Sequence, residues 1–230
     1  CDVLLLQETK SQDQNFPREA FSSHGWHVTI YGQKSYNGVA IASRHPIKDV
    51  MCGLPGDDND EQARYIEASI KSVRMASIYL PNGNPAPGPK FDYKLQWMNR
   101  LNRRAAALLA GEYPIVLGGD FNVIPDDLDC YDPLGWEGDA LTHPEARRAF
   151  RTLTHTGYCD ALRARHPHEV IYTYWDYQAG AWQRDHGVRI DHLLLSPEAA
   201  DCLGAAGVDK NPRGVEKPSD HTPIWCELIF

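Results

Sequence analysis

The apolar positions of this 230-residue chain fall into short runs and alternations, broken often by glycine and proline. Val3–Gln7 is a compact apolar run that reads as a buried strand. Trp26–Tyr31 and Gly38–Ser43 read as two more, the second leading into a turn at His45-Pro46. Ala63–Ile70 and Val73–Leu80 interleave β-branched and aromatic residues across a short break, which predicts an antiparallel pair. Pro81–Pro89 is too dense in proline and glycine to be anything but a loop. Beyond it Phe91, Leu95, Met98, Leu101, Ala105 and Leu108 recur at steps of three and four, the period of one helix face.

Pro114–Gly118 predicts a fully apolar strand running into a Gly-Gly-Asp turn, followed by a loop over Pro125–Asp139 and a helix over Pro144–His155. Tyr172–Tyr177 is aromatic and shows no regular period. Ile190–Ser196, Gly207–Asp209 and Pro223–Ile229 complete the strands, and Trp225 in the last is expected in the core. Strands cluster with few helices between them, so helices flank the sheet instead of alternating strictly with strands. Neither a linker nor a repeat interrupts the chain, which predicts one domain over residues 1–230.

Composition narrows the class only a little. Hydrophobic residues at 42% and charged residues at 23% are ordinary for a globular protein. No apolar run approaches the ~20 residues that span a bilayer, so no membrane association is expected. The first residues lack the basic opening of a signal peptide. Six scattered cysteines without a Cys-x-x-Cys pair argue against a zinc site and for reduced thiols. The net charge of −8 argues against a protein that coats nucleic acid. It leaves room for an enzyme with an acidic metal centre and a local basic rim.

The candidate chemistry lies where apolar runs meet turns. Glu8 ends the first strand and is either a helix-start residue or a ligand for a hard cation, with Lys10 a surface charge or a partner for a nearby acid. Tyr79 and Asn82 either pack over a turn or donate to a phosphate. Asp120 and Asn122, two apart in extended chain, point the same way. They pair a general base for water with a neutral donor that orients phosphate. Asp191 and His221 suggest a carboxylate that fixes an imidazole and favours its protonated form. Asp220 binds metal or caps its turn. The run from Tyr172 to Tyr177, with Trp182, is either core or a stacking platform, and Arg184 and Arg189 touch phosphates or solvate a surface.

These segments, in this order, resemble the exonuclease III family of apurinic/apyrimidinic endonucleases, its bacterial branch above all. The resemblance runs through Leu6-Gln7-Glu8-Thr9-Lys10, Tyr79-Leu80-Pro81-Asn82-Gly83, Gly118-Gly119-Asp120-Phe121-Asn122, Arg189-Ile190-Asp191-His192 and Glu216-Lys217-Pro218-Ser219-Asp220-His221-Thr222-Pro223. It implies an α/β fold, a four-layer α/β/β/α sandwich of two packed mixed β-sheets flanked by helices. It also implies hydrolysis of DNA 5′ to abasic sites, with 3′–5′ exonuclease and 3′-phosphatase activity on the same centre.

By that resemblance Glu8 and Asp220 serve magnesium (Mg2+), with manganese (Mn2+) as the alternative ion. Tyr79, Asp120, Asn122, Asp191 and His221 are catalytic. Lys10, Asn82, Tyr174, Trp175, Arg184 and Ile190 line the DNA site, and Val188 stands where some relatives place a pocket tryptophan. The expected partner is double-stranded DNA with abasic sites or 3′ ends, met by a monomer in the bacterial cytoplasm. The family opens on a strand with a Trp-Asn pair that precedes the first residue here. The domain is therefore expected to lack its N-terminal strand and to be poorly stable or inactive without it. Rival readings are another phosphodiesterase or phosphatase of the superfamily, or a non-catalytic DNA-damage binding module.

Overall fold

The computed structural model describes residues 1–230. In chain order the elements are β1 (Val3–Gln7), α1 (Arg18–Ser22), β2 (His27–Tyr31), β3 (Val39–Ser43), β4 (Ile47–Cys52), β5 (Tyr65–Ile70) and β6 (Val73–Tyr79). There follow α2 (Pro89–Leu109), β7 (Ile115–Asp120), α3 (Pro144–Thr156), β8 (Cys159–Asp160) and α4 (Ala161–Arg165). The chain closes with β9 (Asp191–Leu195), α5 (Pro197–Ala200), β10 (Leu203–Val208) and β11 (Ile224–Leu228).

A six-stranded sheet in the order β4-β5-β6-β7-β9-β8 is the centre of the molecule. Its β6–β7 pair is parallel, because the long α2 carries the chain back across the sheet between them. Side chains alternate along these strands. Ala76, Ile78, Ile115, Leu117 and Leu194 point to the layer of α2 and α3 and form the larger core with Phe91, Trp97, Met98 and Leu101. Val73, Val116, Leu193 and Leu195 point the other way.

That second face carries a further layer of strands. It consists of an antiparallel sheet β1-β3-β2 and an antiparallel pair β10–β11. Val39 and Ile41 of β3 meet Ile66, Ala68 and Ile70 of β5 across the interface. β1 lies over β6 and β7, and β11 over β9, so the two layers form an α/β sandwich. α1 packs on β2, while α4 and α5 fill in against β9. No helix is long and apolar enough to cross a membrane.

Three sequence expectations change. Gly118-Gly119-Asp120 is not a turn: β7 continues to Asp120. Gly119 is required there because its φ of 138° is left-handed and a Cβ would stand 2.1 Å from the Ile78 carbonyl oxygen. β4 was hidden by its polar residues, as expected of an edge strand with one solvated face. Trp225, expected in the core, is 44% exposed on the outer face of β11, where it covers Gly207.

Candidate active site

Strand register brings the first catalytic candidates together. Tyr79 on β6 lies beside Asp120 on β7, and Asp120 lies beside Asp191 on β9. Neighbouring strands run ~4.8 Å apart, so the three side chains form one row across the end of the sheet. The row faces the second strand layer. β1 arrives from that layer, its Gln7 donating to Ser77 at 2.8 Å, and delivers Glu8 to the mouth between the sheets. Tyr79 donates its phenol to Glu8 at 2.7 Å, and the Lys10 ammonium sits 2.7 Å from the other Glu8 oxygen. Glu8, Lys10 and Asn122 all hold left-handed backbone, with φ near 50°. Such residues cluster where a site needs a particular side-chain direction and the surroundings enforce it.

Asp120 is buried and receives two hydrogen bonds from Asn122, from the backbone N–H at 2.8 Å and the side-chain amide at 3.0 Å. The same amide donates to the Leu80 carbonyl at 2.9 Å, and its oxygen accepts from Asn82 at 3.1 Å. Burial pushes the Asp120 carboxyl up to about 7; His221 opposes this, while Asp191 and Glu8 add to it. His221 Nδ1 is 2.8 Å from Asp191. Burial would lower its pKa, but Asp191, with help from Asp120 and Asp220, pushes it up to about 10. The imidazole is therefore a cation at neutral pH. Burial alone would raise Glu8, yet the bonds from Lys10 and Tyr79 hold it below its ordinary value. Burial and Glu8 together drive the Tyr79 phenol well up, so it remains a donor.

A buried carboxylate, a protonated imidazole and a phenolic donor in one row have the chemistry to act on a phosphoryl group. A profile of the endonuclease/exonuclease/phosphatase family matches residues 1–221. The chain belongs to that family. Within it the chain is exonuclease III-like. It is 32% identical to exodeoxyribonuclease III of Haemophilus influenzae, over 99% of this chain and 90% of that protein. Among solved structures it is similar to the 3′-5′ exonuclease NExo of Neisseria meningitidis, at 41% identity and a TM-score of 0.97 over 100% of this chain and 90% of that one. It is likewise similar to an AP endonuclease of Archaeoglobus fulgidus, at 38% identity and a TM-score of 0.95 over 99% of this chain and 88% of that one.

Enzymes of the exonuclease III group depend on a divalent metal. No group of three or more His, Cys, Asp or Glu side chains here could enclose a cation. A hard cation that takes one or two carboxylates and keeps its own waters does fit. Glu8 is the open carboxylate of the mouth, its side chain 37% exposed. Asp220 is near enough to raise both Lys10 and His221.

The sequence overreached around the aromatic segment of this exonuclease III-like chain. Tyr174 does reach the site: it is half-buried with its ring edge-on to His221 at 5.1 Å. Trp175 is fully buried among Tyr172, Ala181 and Trp182 and donates to Asp185, so it has no face to offer DNA. Ile190 and Val188 are buried in the main core instead of lining an open pocket. Arg184 is exposed and bonds only the Ala179 carbonyl within its own turn. Arg189, offered to phosphate by the sequence, is buried and bonded to Asp129, Asp160 and His192.

Two supporting residues went unread. Thr173 Oγ1 accepts the Ile190 and Asp191 N–H groups at 3.2 and 3.1 Å, which aims the carboxylate at His221. Nothing in the sequence singled it out. Lys94 lies beneath the site loops, fully buried. Here a signal existed: the buried residues of α2 are Phe91, Lys94, Trp97, Met98, Arg100, Leu101, Ala105 and Leu108, and Lys94 and Arg100 are the charged members of an otherwise apolar set.

Proposed function

We propose that this protein is a DNA repair nuclease that hydrolyses the phosphodiester 5′ to abasic sites and trims or dephosphorylates 3′ ends at the same centre. The observation that carries this reading is the row Tyr79–Asp120–Asp191, flanked by Glu8 on one side and by protonated His221 on the other. It sets a base, a cation and a phenolic donor side by side at one end of the sheet.

Asp120 accepts the proton of the attacking water, and a pKa near neutrality suits a base at physiological pH. Asn122 fixes both Asp120 oxygens, which aims the lone pair that takes the proton. His221 has its Nδ1 on Asp191 and so presents Nε2–H to a phosphoryl oxygen, where negative charge builds as water adds and the 3′ oxygen leaves. Tyr79 supplies a second donor. Asn82, exposed beside Asn122, has an amide hydrogen to spare for the phosphate. Glu8, assisted by Asp220, would hold the divalent ion, for which magnesium is the natural occupant and manganese the alternative. When bound, that ion supplies charge neutralisation at the phosphate and at the leaving oxygen.

The substrate is double-stranded DNA, and the abasic sugar is selected within it because a missing base removes stacking and lets the sugar leave the helix at little cost. Tyr174, edge-on to His221, and Lys10, at the rim, are the residues set to meet it. The protein works as a monomer in the bacterial cytoplasm. The deciding assay incubates the full-length protein with an abasic duplex, a recessed 3′ end and a generic phosphodiester, with and without EDTA. Cleavage of the abasic strand to a 3′-hydroxyl, abolished by EDTA and restored by magnesium, is expected. Binding without EDTA-sensitive cleavage would return the chain to a damage-binding role.

A further inference from the structure

Lys94 stands in the first turns of α2 with no exposed surface. Its ammonium donates to three backbone carbonyls, those of Asn82 at 3.0 Å, Asn122 at 2.6 Å and Ala140 at 3.0 Å. Three N–H bonds meet three acceptors, and an ammonium has no other polar capacity. It forms no ion pair with any carboxylate, so its charge is held by peptide dipoles at a cost that burial makes large. Burial draws the group down to about 7, against the pull of Asp120 and Asp139.

The loops are shaped around this side chain. Gly83 has a φ of 91°, and a Cβ there would stand 2.6 Å from Lys94 Cδ. Asn122 holds a left-handed φ of 48°, a conformation that persists only where neighbours enforce it. Lys94 donates to the carbonyl of Asn122 itself, beside the bonds that Asn122 makes with Asp120, Leu80 and Asn82. From there one step reaches the reacting groups, because Asn122 holds the Asp120 carboxylate and accepts from Asn82.

We propose that Lys94 is a positioning residue for phosphodiester hydrolysis: it clamps the Asn82, Asn122 and Ala140 segments together, and thereby holds Asp120 and Asn122 in reactive alignment. The proposal rests on the nuclease reading above. It does not make Lys94 a catalytic residue, since the ammonium is spent on carbonyls and sealed from substrate.

The test compares K94M, which fills the same space without donors, with L108A, a buried substitution further along the same helix. Wild-type cleavage of an abasic duplex is established first. K94M is expected to lose turnover on the order of tenfold to a hundredfold with KM nearly unchanged, while L108A at an equal loss of melting temperature retains it. In the free protein, the side-chain amide NMR signals of Asn82 and Asn122 should shift and broaden in K94M but not in L108A. Wild-type turnover in K94M, or an equal loss in L108A, overturns the proposal. A wild-type protein inactive on abasic DNA would instead overturn the nuclease reading, leaving the NMR comparison to judge the clamp. If K94M does not fold, K94A is assayed with propylammonium and with propanol. Rescue by the amine alone upholds the clamp, and no rescue rejects it.

Discussion

Asp120 illustrates how little of a residue's behaviour lies in its type. A surface aspartate is ionised far below neutrality, but here burial beside Asp191 and Glu8 brings the carboxyl to about 7. Its two bonds from Asn122 keep it aimed whatever its charge. Replacing it by asparagine preserves shape and removes the proton acceptor. D120N should therefore lower single-turnover cleavage by on the order of a hundredfold or more, with the dissociation constant for abasic duplex nearly unchanged. Turnover close to wild type would remove Asp120 from the role of base.

The elements behind the site are joined by a buried charge network. Arg189, just before β9, bonds Asp129 in the 126–130 loop at 2.7 Å and Asp160 at the end of β8 at 2.7 Å. Arg163 of α4 also bonds Asp129, and Arg189 donates to His192 Nδ1 of β9, whose Nε2–H donates to the Val123 carbonyl. Burial alone would raise both carboxyls, but Arg189, joined by Arg163 at Asp129 and by His192 at Asp160, holds them below the ordinary range. A carboxyl with a depressed folded pKa contributes its stability in full above its unfolded value near ~4 and loses it as pH falls toward the folded value. Changing Arg189 to methionine leaves two buried acids without their main partner. That should cost about 3–5 kcal/mol near neutrality, and the cost should shrink as pH falls and the two acids take up protons. Urea melts across the acid range measure both; an unchanged acid limb would show that the network is not what ties β9 to its neighbours.

At the scale of the molecule, the net charge of −8 sets the protein against a polyanionic substrate. Binding must rely on local cations at the mouth, such as Lys10, which Glu8 anchors at 2.7 Å. Affinity for abasic duplex should fall by about tenfold or more between ~50 and ~200 mM salt, as displaced counterions dictate. A salt-indifferent dissociation constant, measured by fluorescence anisotropy, would exclude a DNA backbone as the bound surface. The Tyr79–Asp120–Asp191 row lies at the end of the main sheet, on the face that meets the second strand layer. Two rigid layers hold the side chains while the loops after β6 and β7 frame the opening.

Much of this was legible in the chain itself. Apolar alternation and glycine–proline breaks placed β1, β3, β5, β6 and the long α2, since those signals depend only on near neighbours in sequence. The residue types at the ends of those runs, Glu8, Tyr79, Asp120, Asn122, Asp191 and His221, suggested metal-assisted chemistry on a phosphodiester, and the structure brings them together. Only the fold could decide that Tyr79, Asp120 and Asp191 share one row, because strand order and register follow from long-range packing. Only the fold could bury Trp175 and Ile190 and expose Trp225, since an aromatic or aliphatic side chain looks alike in sequence whether covered or bare. And the burial of a lysine on α2 is explained only by the three distant carbonyls that converge on its ammonium.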